Sequence, residues 1–334
     1  MRDPGAPKRG SAGLAAVVVT LGALVALPFA AQAWGDASLV TLATRMIIFA
    51  IAATSLNLAL GHGGMVSFGH AAFLGIGAYT VGILYSHFVG REPFAGFIPG
   101  TDQMLIAVPA AMLVAGLAAA AIGALSLRTG GIQFIMITLA FAQMVFFLFV
   151  SLKTYGGDDG LIIRRRNTLP GLNTRDDVTF YFVCLGVAVA WIGLMAAVMR
   201  SRFGAVVGGI RQSERRMAAL GVPVYSYKLI AFVVSGIGTG LAGALLGNFS
   251  RFASPDMLHW TQSGELMIMV ILGGTGTVLG PAYGAIALIG LETVLGAWTE
   301  HWQVLHGPIL ILIVLFLRGG LGSIVGLVRG LRHG

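Results

Sequence analysis

The chain has 334 residues, of which 57% are hydrophobic and only 10% are charged. Soluble domains carry about 25% charged residues, so this composition excludes a soluble fold and predicts a protein that crosses a membrane several times. The net charge is +8. Basic residues hold cytoplasmic loops on the inner side of a membrane. We therefore expect these residues to interact with membrane lipid and not with nucleic acid.

Long apolar runs separated by polar gaps predict an all-α integral membrane protein with about ten transmembrane helices. In chain order, the predicted spans are 14–33, 39–60, 65–88, 104–127, 132–152, 179–199, 229–249, 262–279, 281–299 and 303–317. Little sequence remains for a soluble domain, so residues 1–334 are interpreted as one transmembrane domain. The first run ends beside Ala31-Gln32-Ala33, which resembles a signal-peptidase site, but it is long enough for a span and is expected to be retained.

The distribution of basic residues predicts the orientation of the chain. With the N-terminus inside, most of the 21 Lys and Arg residues fall on inner segments, including a short basic C-terminal tail at 318–334. Much of the remaining positive charge lies in one outer loop, 153–178, where aspartates offset it. The bias is modest, and it favours cytoplasmic N- and C-termini.

Two polar segments stand between spans. The outer loop contains TYGGDDGLIIRRRNTLPGLNTRDD, whose Gly, Asn, Asp and Pro residues favour irregular structure; it is an ordinary solvated loop or a surface for an external partner. The inner segment, 200–228, is predicted to contain one short helix from Gly209 to Leu220, ended by Gly221 and Pro223. Such a helix can lie flat on the membrane or dock into a groove of another protein.

Two glycine-rich stretches interrupt the apolar pattern. LGHGGMVSFGHAAFLGIGAYT, at 60–80, breaks the helix between Leu60 and Met65, and LGGTGTVLGP, at 272–281, forms a hinge or a plain inner turn. Irregular backbone at membrane depth survives only where it is buried in protein or lines a cavity. Their comparable places in the two halves point to a repeat around a pathway. The pathway or hinge candidates are Asn57, Gly61, Gly63, Gly64, Ser67, His70, Gly75, Gly273, Gly274, Gly276, Gly280 and Pro281.

Small residues at helical spacing predict close helix packing in lipid. One set follows the first break, and the other lies in the seventh predicted span: Ser67, Ala71, Gly75 and Ala78, then Gly236, Gly240, Gly243 and Gly247. For the second set we expect packing alone. For the first set a pathway role is also open, because the broken backbone precedes it directly.

Ionisable residues inside the predicted spans are functional candidates because charge in lipid is costly. The acidic candidates are Glu265 and Glu292. Arg45 and Glu265 can instead extend to the outer interface, and Glu292 can face a neighbouring helix. His70 is more simply a neutral ring hydrogen-bonded to backbone, and a ligand role for His62 or His70 is not favoured. No P-loop, HExxH or CxxC pattern occurs, so we expect no catalytic residue and no metal site.

Four stretches, in the same order, resemble the permease subunits of branched-chain amino acid ABC importers, and the resemblance runs from about residue 40 to 320. They are SLNLALGHGGMVSFGHAAFLGIGAYT, GGDDGL, FGAVVGGIRQSERRMAALGVPVYSYKLIAFVVSGIGTGLAGAL and SPDMLHWTQSGELMIMVILGGTGTVLGPAYGA. Of the two permease types in these importers, the chain is more similar to the LivM type than to the LivH type.

The resemblance implies an ABC importer permease fold in a bacterial inner membrane. It implies a second, LivH-type permease, two cytoplasmic ATPases that hold ATP and Mg²⁺, and a periplasmic amino-acid-binding protein; this chain would hold no cofactor itself. The segment Gly209–Gly221 would be the coupling helix that contacts an ATPase. Its matching positions are Arg211, Glu214, Ala218, Ala219 and Gly221. Gln212 departs from the family, where an acidic residue is common, so the details of the ATPase contact stay open.

Other functions remain open at this point. The cargo of the same importer class could be urea or a short amide, since selection rests largely on the binding protein. A secondary transporter or channel that works alone is a second alternative, against which the polar inner segment argues. For a membrane enzyme or a scaffold, the sequence offers no grouping of reactive residues.

Overall fold

The computed structural model describes residues 11–35, 37–93, 99–298 and 307–308, and in these ranges the chain is mostly helical. The helices are α1 Ser11–Trp34, α2 Ser38–Asn57, α3 His70–Gly90, α4 Met104–Ser126, α5 Ile132–Ser151, α6 Asp177–Arg200, α7 Arg202–Gln212, α8 Glu214–Ala219, α9 Val224–Ser250, α10 Trp260–Gly273 and α11 Gly280–Trp298. A π-helical turn, Leu58–His62, extends α2. Within the described ranges, seven helices are long and apolar enough to cross a membrane: α2 with its π turn, α3, α4, α5, α6, α9 and α11.

A helix lies at each of the first nine predicted spans, so the all-α membrane fold predicted from the sequence is confirmed. The tenth predicted span, 303–317, and the basic tail, 318–334, lie outside the described residues. The prediction for 262–279 is wrong in extent, because α10 has only 14 residues and ends where the second glycine-rich break begins. α10 therefore crosses only part of the bilayer.

The centre of the bundle is α9, which packs most extensively on α3, α4 and α2. The predicted small-residue face of α9 makes these contacts. A Cβ atom added at Gly243 would collide with the carbonyl oxygen of Leu74, and one at Gly247 would lie 3.2 Å from Cα of Ala78. Gly236 and Gly240 meet the methyl groups of Ala119 and Ala115 in the same way. The backbone of α9 therefore comes close to α3 and α4 because these four positions carry no side chain.

The small-residue face predicted after the first break needs a correction. Ser67 lies outside α3, which begins at His70, and its Oγ accepts a hydrogen bond from the backbone N–H of Gly69 at 3.1 Å. Gly75, inside α3, packs against the side chain of Leu258. The sequence MVSFG before His70 is apolar enough to pass for a helix, so its pattern did not reveal the non-helical backbone.

The exposed residues of α4 and α5 are apolar except for Gln133 and Ser151 at the two ends of α5, as lipid contact requires. Their exposed large side chains are Leu105, Ile106, Leu113, Val114, Leu117, Leu125, Ile132, Met136, Met144, Phe147 and Leu148. The outward face of α10 differs. Thr261 is exposed there, and Gln262 and Glu265 are half-buried.

The connections gather at two opposite ends of the bundle. The short-helix end carries α7, α8, the π turn of α2 and the break before α11. The long-loop end carries residues 152–176, where strand β1, Leu161–Ile162, pairs antiparallel with strand β2, Phe252–Ala253. Gly156, Gly157 and Gly160 of the GGDDGL motif all have positive φ, which gives this loop its turns. The predicted irregular outer loop is thus an ordered cap.

Two segments that are not α-helical return from opposite ends into the bundle and meet there. Residues 63–69 leave the short-helix end and lead into α3, and residues 251–259 leave the long-loop end and lead into α10. The first turns of α3 and α10 join at Ser263, whose Oγ accepts from the backbone N–H of Ala71 and donates to the carbonyl of Phe68, both at 2.7 Å. The Phe68 and Trp260 rings lie edge to face beside this contact, 6.0 Å apart.

A substitution pair tests the packing of α3 on α9. Gly243→Ala places a methyl group against the Leu74 carbonyl, and we expect it to destabilise the protein by about 1–3 kcal/mol through overpacking. Gly186→Ala, on the lipid-facing helix α6, is the matched control because a Cβ there meets nothing within 4 Å. Thermal unfolding in detergent should show a lower Tm for Gly243→Ala only. Equal Tm values would contradict the close approach of the two helices.

Candidate functional site

Arg211, on α7, reaches from the polar short-helix end into both glycine-rich breaks. Its Nη1 donates a hydrogen bond to the carbonyl oxygen of Gly61, in the π turn that ends α2. A Cβ atom at Gly64 would lie 3.1 Å from Cγ of Arg211, and one at Gly276 would lie 3.7 Å from its Nη1. One side chain therefore contacts three of the predicted pathway residues.

Asn57, on α2, joins the same two breaks by a separate route. Its Nδ2 donates to the carbonyl oxygen of Thr277 at 2.8 Å, and its Oδ1 accepts from the backbone N–H of Gly276 at 3.4 Å. The side chain is fully buried, and Gly61 leaves room for it, because a Cβ at Gly61 would overlap Oδ1 of Asn57. We call Asn57, Gly61, Gly64, Arg211 and Gly276 the glycine junction.

Glycine is required at two positions of the junction by backbone conformation. Gly64 has φ +67° and Gly276 has φ +90°, both in the region that side chains disfavour. The predicted interruption of the helix at Gly61 is shifted: the π turn runs on through His62, and the break falls at 63–69. Nδ1 of His62 lies 3.4 Å from the Asn57 carbonyl, at the end of that turn.

The second break is a compact turn. Oγ1 of Thr277 donates to the Gly274 carbonyl at 3.0 Å and accepts from the Gly280 N–H at 3.1 Å. A Cβ at Gly273 would collide with the carbonyl of Gly280, so the chain folds back tightly on itself. Pro281 is the second residue of α11, where a missing N–H is harmless because the first N–H groups of a helix have no partner within the helix.

The predicted single helix from Gly209 to Leu220 is wrong: the segment holds two helices that meet at Ser213. Ser213 is extended, with φ −163°, and its Oγ accepts from the N–H of Arg216, which caps the start of α8. A serine hydroxyl competes with helical bonding in this way. The other predicted coupling positions are on α8 and just after it: Glu214, Ala218, Ala219 and Gly221.

α8 is held to α9 and offers an exposed surface. Glu214 forms an ion pair with Lys228 in the first turns of α9. Ala218 and Ala219 are exposed, and Leu220 after them is 71% exposed. Gly221, with φ +80°, ends the segment as the sequence predicts.

His70 is fully buried and belongs to a chain of hydrogen bonds across α3, α9, α2 and α6. Its Nε2 lies 2.8 Å from Oγ of Ser235, and this hydroxyl donates to the carbonyl of Ser55 at 2.7 Å. Because the Ser235 proton is used there, Nε2 of His70 carries a proton and donates. Trp191 donates in turn to Oγ of Ser55 at 2.8 Å. His70 thus bonds to the side chain of Ser235 in addition to a backbone interaction with Ser67, and a helix-joining role accounts for its burial.

The two acidic candidates inside the spans, Glu265 and Glu292, both interact with Arg45. Arg45 of α2 and Glu292 of α11 form an ion pair, with N and O atoms 3.6 Å apart, so Glu292 does face a helix partner. Glu265 of α10 interacts electrostatically with both and bonds to Gln262. The Arg45 side chain is 45% exposed and stacks over the Phe49 ring at 5.7 Å. Neither Arg45 nor Glu292 depends on the outer interface for a partner.

Sequence reasoning missed several residues that hold the site together. Thr277, Ser235, Ser263 and Lys228 each supply a hydrogen bond or ion pair between distant elements. No local signal distinguishes a bonded serine or threonine in an apolar helix from a packing residue. Among the described residues, no group of three or more His, Cys, Asp or Glu side chains is placed to hold a metal ion.

The fold and the junction define a class: a multi-pass α-helical membrane protein with paired broken helices, as transporters have. Comparison with protein families gives a match over residues 38–315 to the family described as branched-chain amino acid transport system / permease component. The chain belongs to this family.

Curated relatives agree with the family match. The chain is 27% identical over 325 residues to the high-affinity branched-chain amino acid transport system permease protein LivM of Escherichia coli (strain K12), covering 89% of this chain and 74% of the relative. LivM of Salmonella typhimurium gives the same identity over 330 residues. LivH of Salmonella typhimurium is 24% identical over 135 residues, 40% of this chain and 44% of the relative. No solved structure matches the chain.

Removal of the Arg211 contact tests the glycine junction. We expect Arg211→Gln to speed amide hydrogen exchange at 61–64 and 274–277 by about fivefold, because a hydrogen bond contributes about 1 kcal/mol to local stability. Arg215→Gln, an exposed arginine on α8, is the control and should leave exchange unchanged. Equal exchange in both variants, measured by mass spectrometry in nanodiscs, would show that Arg211 does not hold the breaks.

Proposed function

We propose that the chain is the transmembrane permease subunit of an ATP-driven importer for branched-chain or related amino acids. It forms the translocation pathway with a second, LivH-type permease, and separate ATPase subunits drive it. The single observation that carries this proposal is the contact of Arg211 on α7 with both broken helices. The names of the curated LivM relatives support the choice of cargo.

The coupling mechanism follows from how α7 and α8 are attached. α6 leads into α7 across Ser201, and Glu214 of α8 is paired with Lys228 of α9. A push on α8 therefore moves α6, α9 and Arg211 together. Through Gly61 and Gly276, that motion reaches the ends of α2 and α11, where the backbone is already broken. ATP and Mg²⁺ act on the partner subunits, and this chain transmits the movement without catalysing a reaction.

We expect the second permease to pack against the surface that carries Arg45, Glu265 and Thr261. A partly exposed arginine inside a span is unfavourable against lipid, whereas the exposed residues of α4 and α5 are apolar except at the two ends of α5. The contrast indicates that the α10 face meets protein or a watery pathway. We therefore assign the LivH-type partner to this side of the bundle.

The proposed orientation places the short-helix end in the cytoplasm of a bacterium, against the ATPases, with the protein in the inner membrane. The long-loop end then faces the periplasm, where an amino-acid-binding protein delivers the cargo. The basic residues of α7 and α8, among them Arg202, Arg211, Arg215 and Arg216, support this orientation.

Reconstitution tests the function directly. The purified complex of this chain, the second permease and the ATPases, in proteoliposomes with the binding protein outside, should take up labelled leucine or a related amino acid only with ATP inside. Uptake by this chain alone, without ATPases, would contradict the proposal and favour a transporter that works unaided. Uptake of urea or a short amide, and not of amino acids, would reassign the cargo.

The exposed surface of α8 supplies a test of coupling. Ala218→Arg places a long charged side chain on the surface proposed to dock into an ATPase, and we expect ATP-driven uptake to fall at least about tenfold, equivalent to 1.4 kcal/mol. Ala205→Arg, an exposed alanine on α7, is the control and should retain uptake. Co-purification with the ATPases should follow the same order. Full uptake by Ala218→Arg would rule out this contact surface.

A further inference from the structure

A basic cavity of about 450 Å³ lies at the long-loop end of the bundle. We call it the arginine cavity, and its lining residues are Arg164, Arg165, Arg166, Arg175, Asp177 and Arg251. Five arginines around one cavity are unexpected at the end proposed to face the periplasm, because basic residues accumulate on the cytoplasmic side of membrane proteins.

Three of these arginines have no acidic counterpart in the described part of the chain. Arg165 pairs with Asp102 at 2.9 Å, and Arg166 pairs with Asp177 at 2.6 Å. No ion pair forms at Arg164, Arg175 or Arg251 with any described carboxylate, and all three side chains are exposed. The cavity therefore offers uncompensated positive charge to whatever enters it.

A nearby aspartate offsets only part of this charge. Asp176 is occupied at the start of α6, where its carboxylate accepts from the backbone N–H of Thr179 at 2.9 Å and from the hydroxyl of Thr179 at 2.8 Å. The backbone hydrogen bond, followed by the hydroxyl bond, lowers the pKa of Asp176. Asp176 also interacts electrostatically with Arg166, but it forms no ion pair with Arg164, Arg175 or Arg251.

The cavity is held in place by buried contacts. Arg166 is only 8% exposed; it bonds to the carbonyl of Thr174 at 3.3 Å, and its guanidinium lies 4.5 Å from the centre of the Phe180 ring. The pairing of β1 with β2 fixes the chain on both sides, since Arg164 follows β1 closely and Arg251 precedes β2. Little ordering is therefore needed when an anion binds.

The position of the cavity favours a soluble protein over lipid. The backbone N–H of Asn167, next to Arg166, donates to Oδ1 of Asn248 at 2.8 Å, which places the loop over the end of α9. α9 is the central helix of the bundle, surrounded by α2, α3 and α4. The cavity opens at the end of this central helix, whereas lipid headgroups lie around the outer faces of α4, α5 and α6.

We propose that the arginine cavity receives acidic side chains of the soluble protein that delivers substrate to the permease. This rests on the proposed importer function and names a docking site for one of its partners. Carboxylates suit the site because arginine binds them with paired N–H donors, and complementary charge speeds the encounter of two proteins. In this proposal, the arginines recognise the delivery protein by its negative charge and position it over the C-terminal end of α9.

Association kinetics test the proposal in the assembled complex. The complex is placed in nanodiscs of phosphatidylcholine, and binding of its fluorescently labelled amino-acid-binding protein is followed by stopped flow. The double variant Arg164→Gln/Arg175→Gln should lower the association rate about tenfold and flatten its dependence on salt. The double variant Arg91→Gln/Lys153→Gln removes the same charge from exposed positions at the same end, and it should stay within about twofold of the unchanged complex.

The remaining outcomes separate this proposal from its rivals. Equal association rates for the two double variants overturn it, because general charge would then explain binding. A loss that appears only in nanodiscs containing phosphatidylglycerol also overturns it and assigns the cavity to a lipid headgroup. ATP-driven uptake by the unchanged complex is measured in parallel: its absence refutes the importer function, whereas normal uptake with equal association rates refutes the docking site alone.

Discussion

A bilayer contains no water to accept or donate hydrogen bonds, so backbone groups freed at a broken helix must find partners inside the protein. This constraint shapes the centre of the molecule. The carbonyl oxygens of Gly61 and Thr277 accept hydrogen bonds from the side chains of Arg211 and Asn57. The first turn of α3 donates a hydrogen bond to Ser263. The breaks predicted to open a pathway are therefore joined to other elements by the very bonds that make them tolerable in lipid.

In the proposed coupling mechanism, the same bonds form the mechanical connection. Arg211 and Asn57 place the short-helix end and the two breaks in one unit, although they are separated by some 150 to 220 positions along the chain. Packing of α9 on α3 through glycines keeps the core rigid around that unit. A rigid core with movement confined to a few broken positions is what a pathway with two end states requires.

Local patterns predicted the helices and their packing faces but not the pairing of distant residues. The spacing of Gly236, Gly240 and Gly243 was enough to predict a tight face on α9, because helical periodicity is local. The non-helical residues before His70 were not predicted, because a short apolar run does not reveal its own backbone conformation. The break at Ser213 was not predicted either. The partnership of Arg45 with Glu292 depends on how α2 and α11 pack, which no single stretch encodes.

Ser263 has a consequence for how the two returning segments can separate. Its hydroxyl accepts from the backbone N–H of Ala71 in α3 and donates to the carbonyl of Phe68 just before α3, so both bonds depend on one side chain of α10. Parting of α3 from α10 therefore removes two hydrogen bonds at a single side chain. In the proposed importer, this contact would join the two elements at the middle of the bundle until both hydrogen bonds are broken.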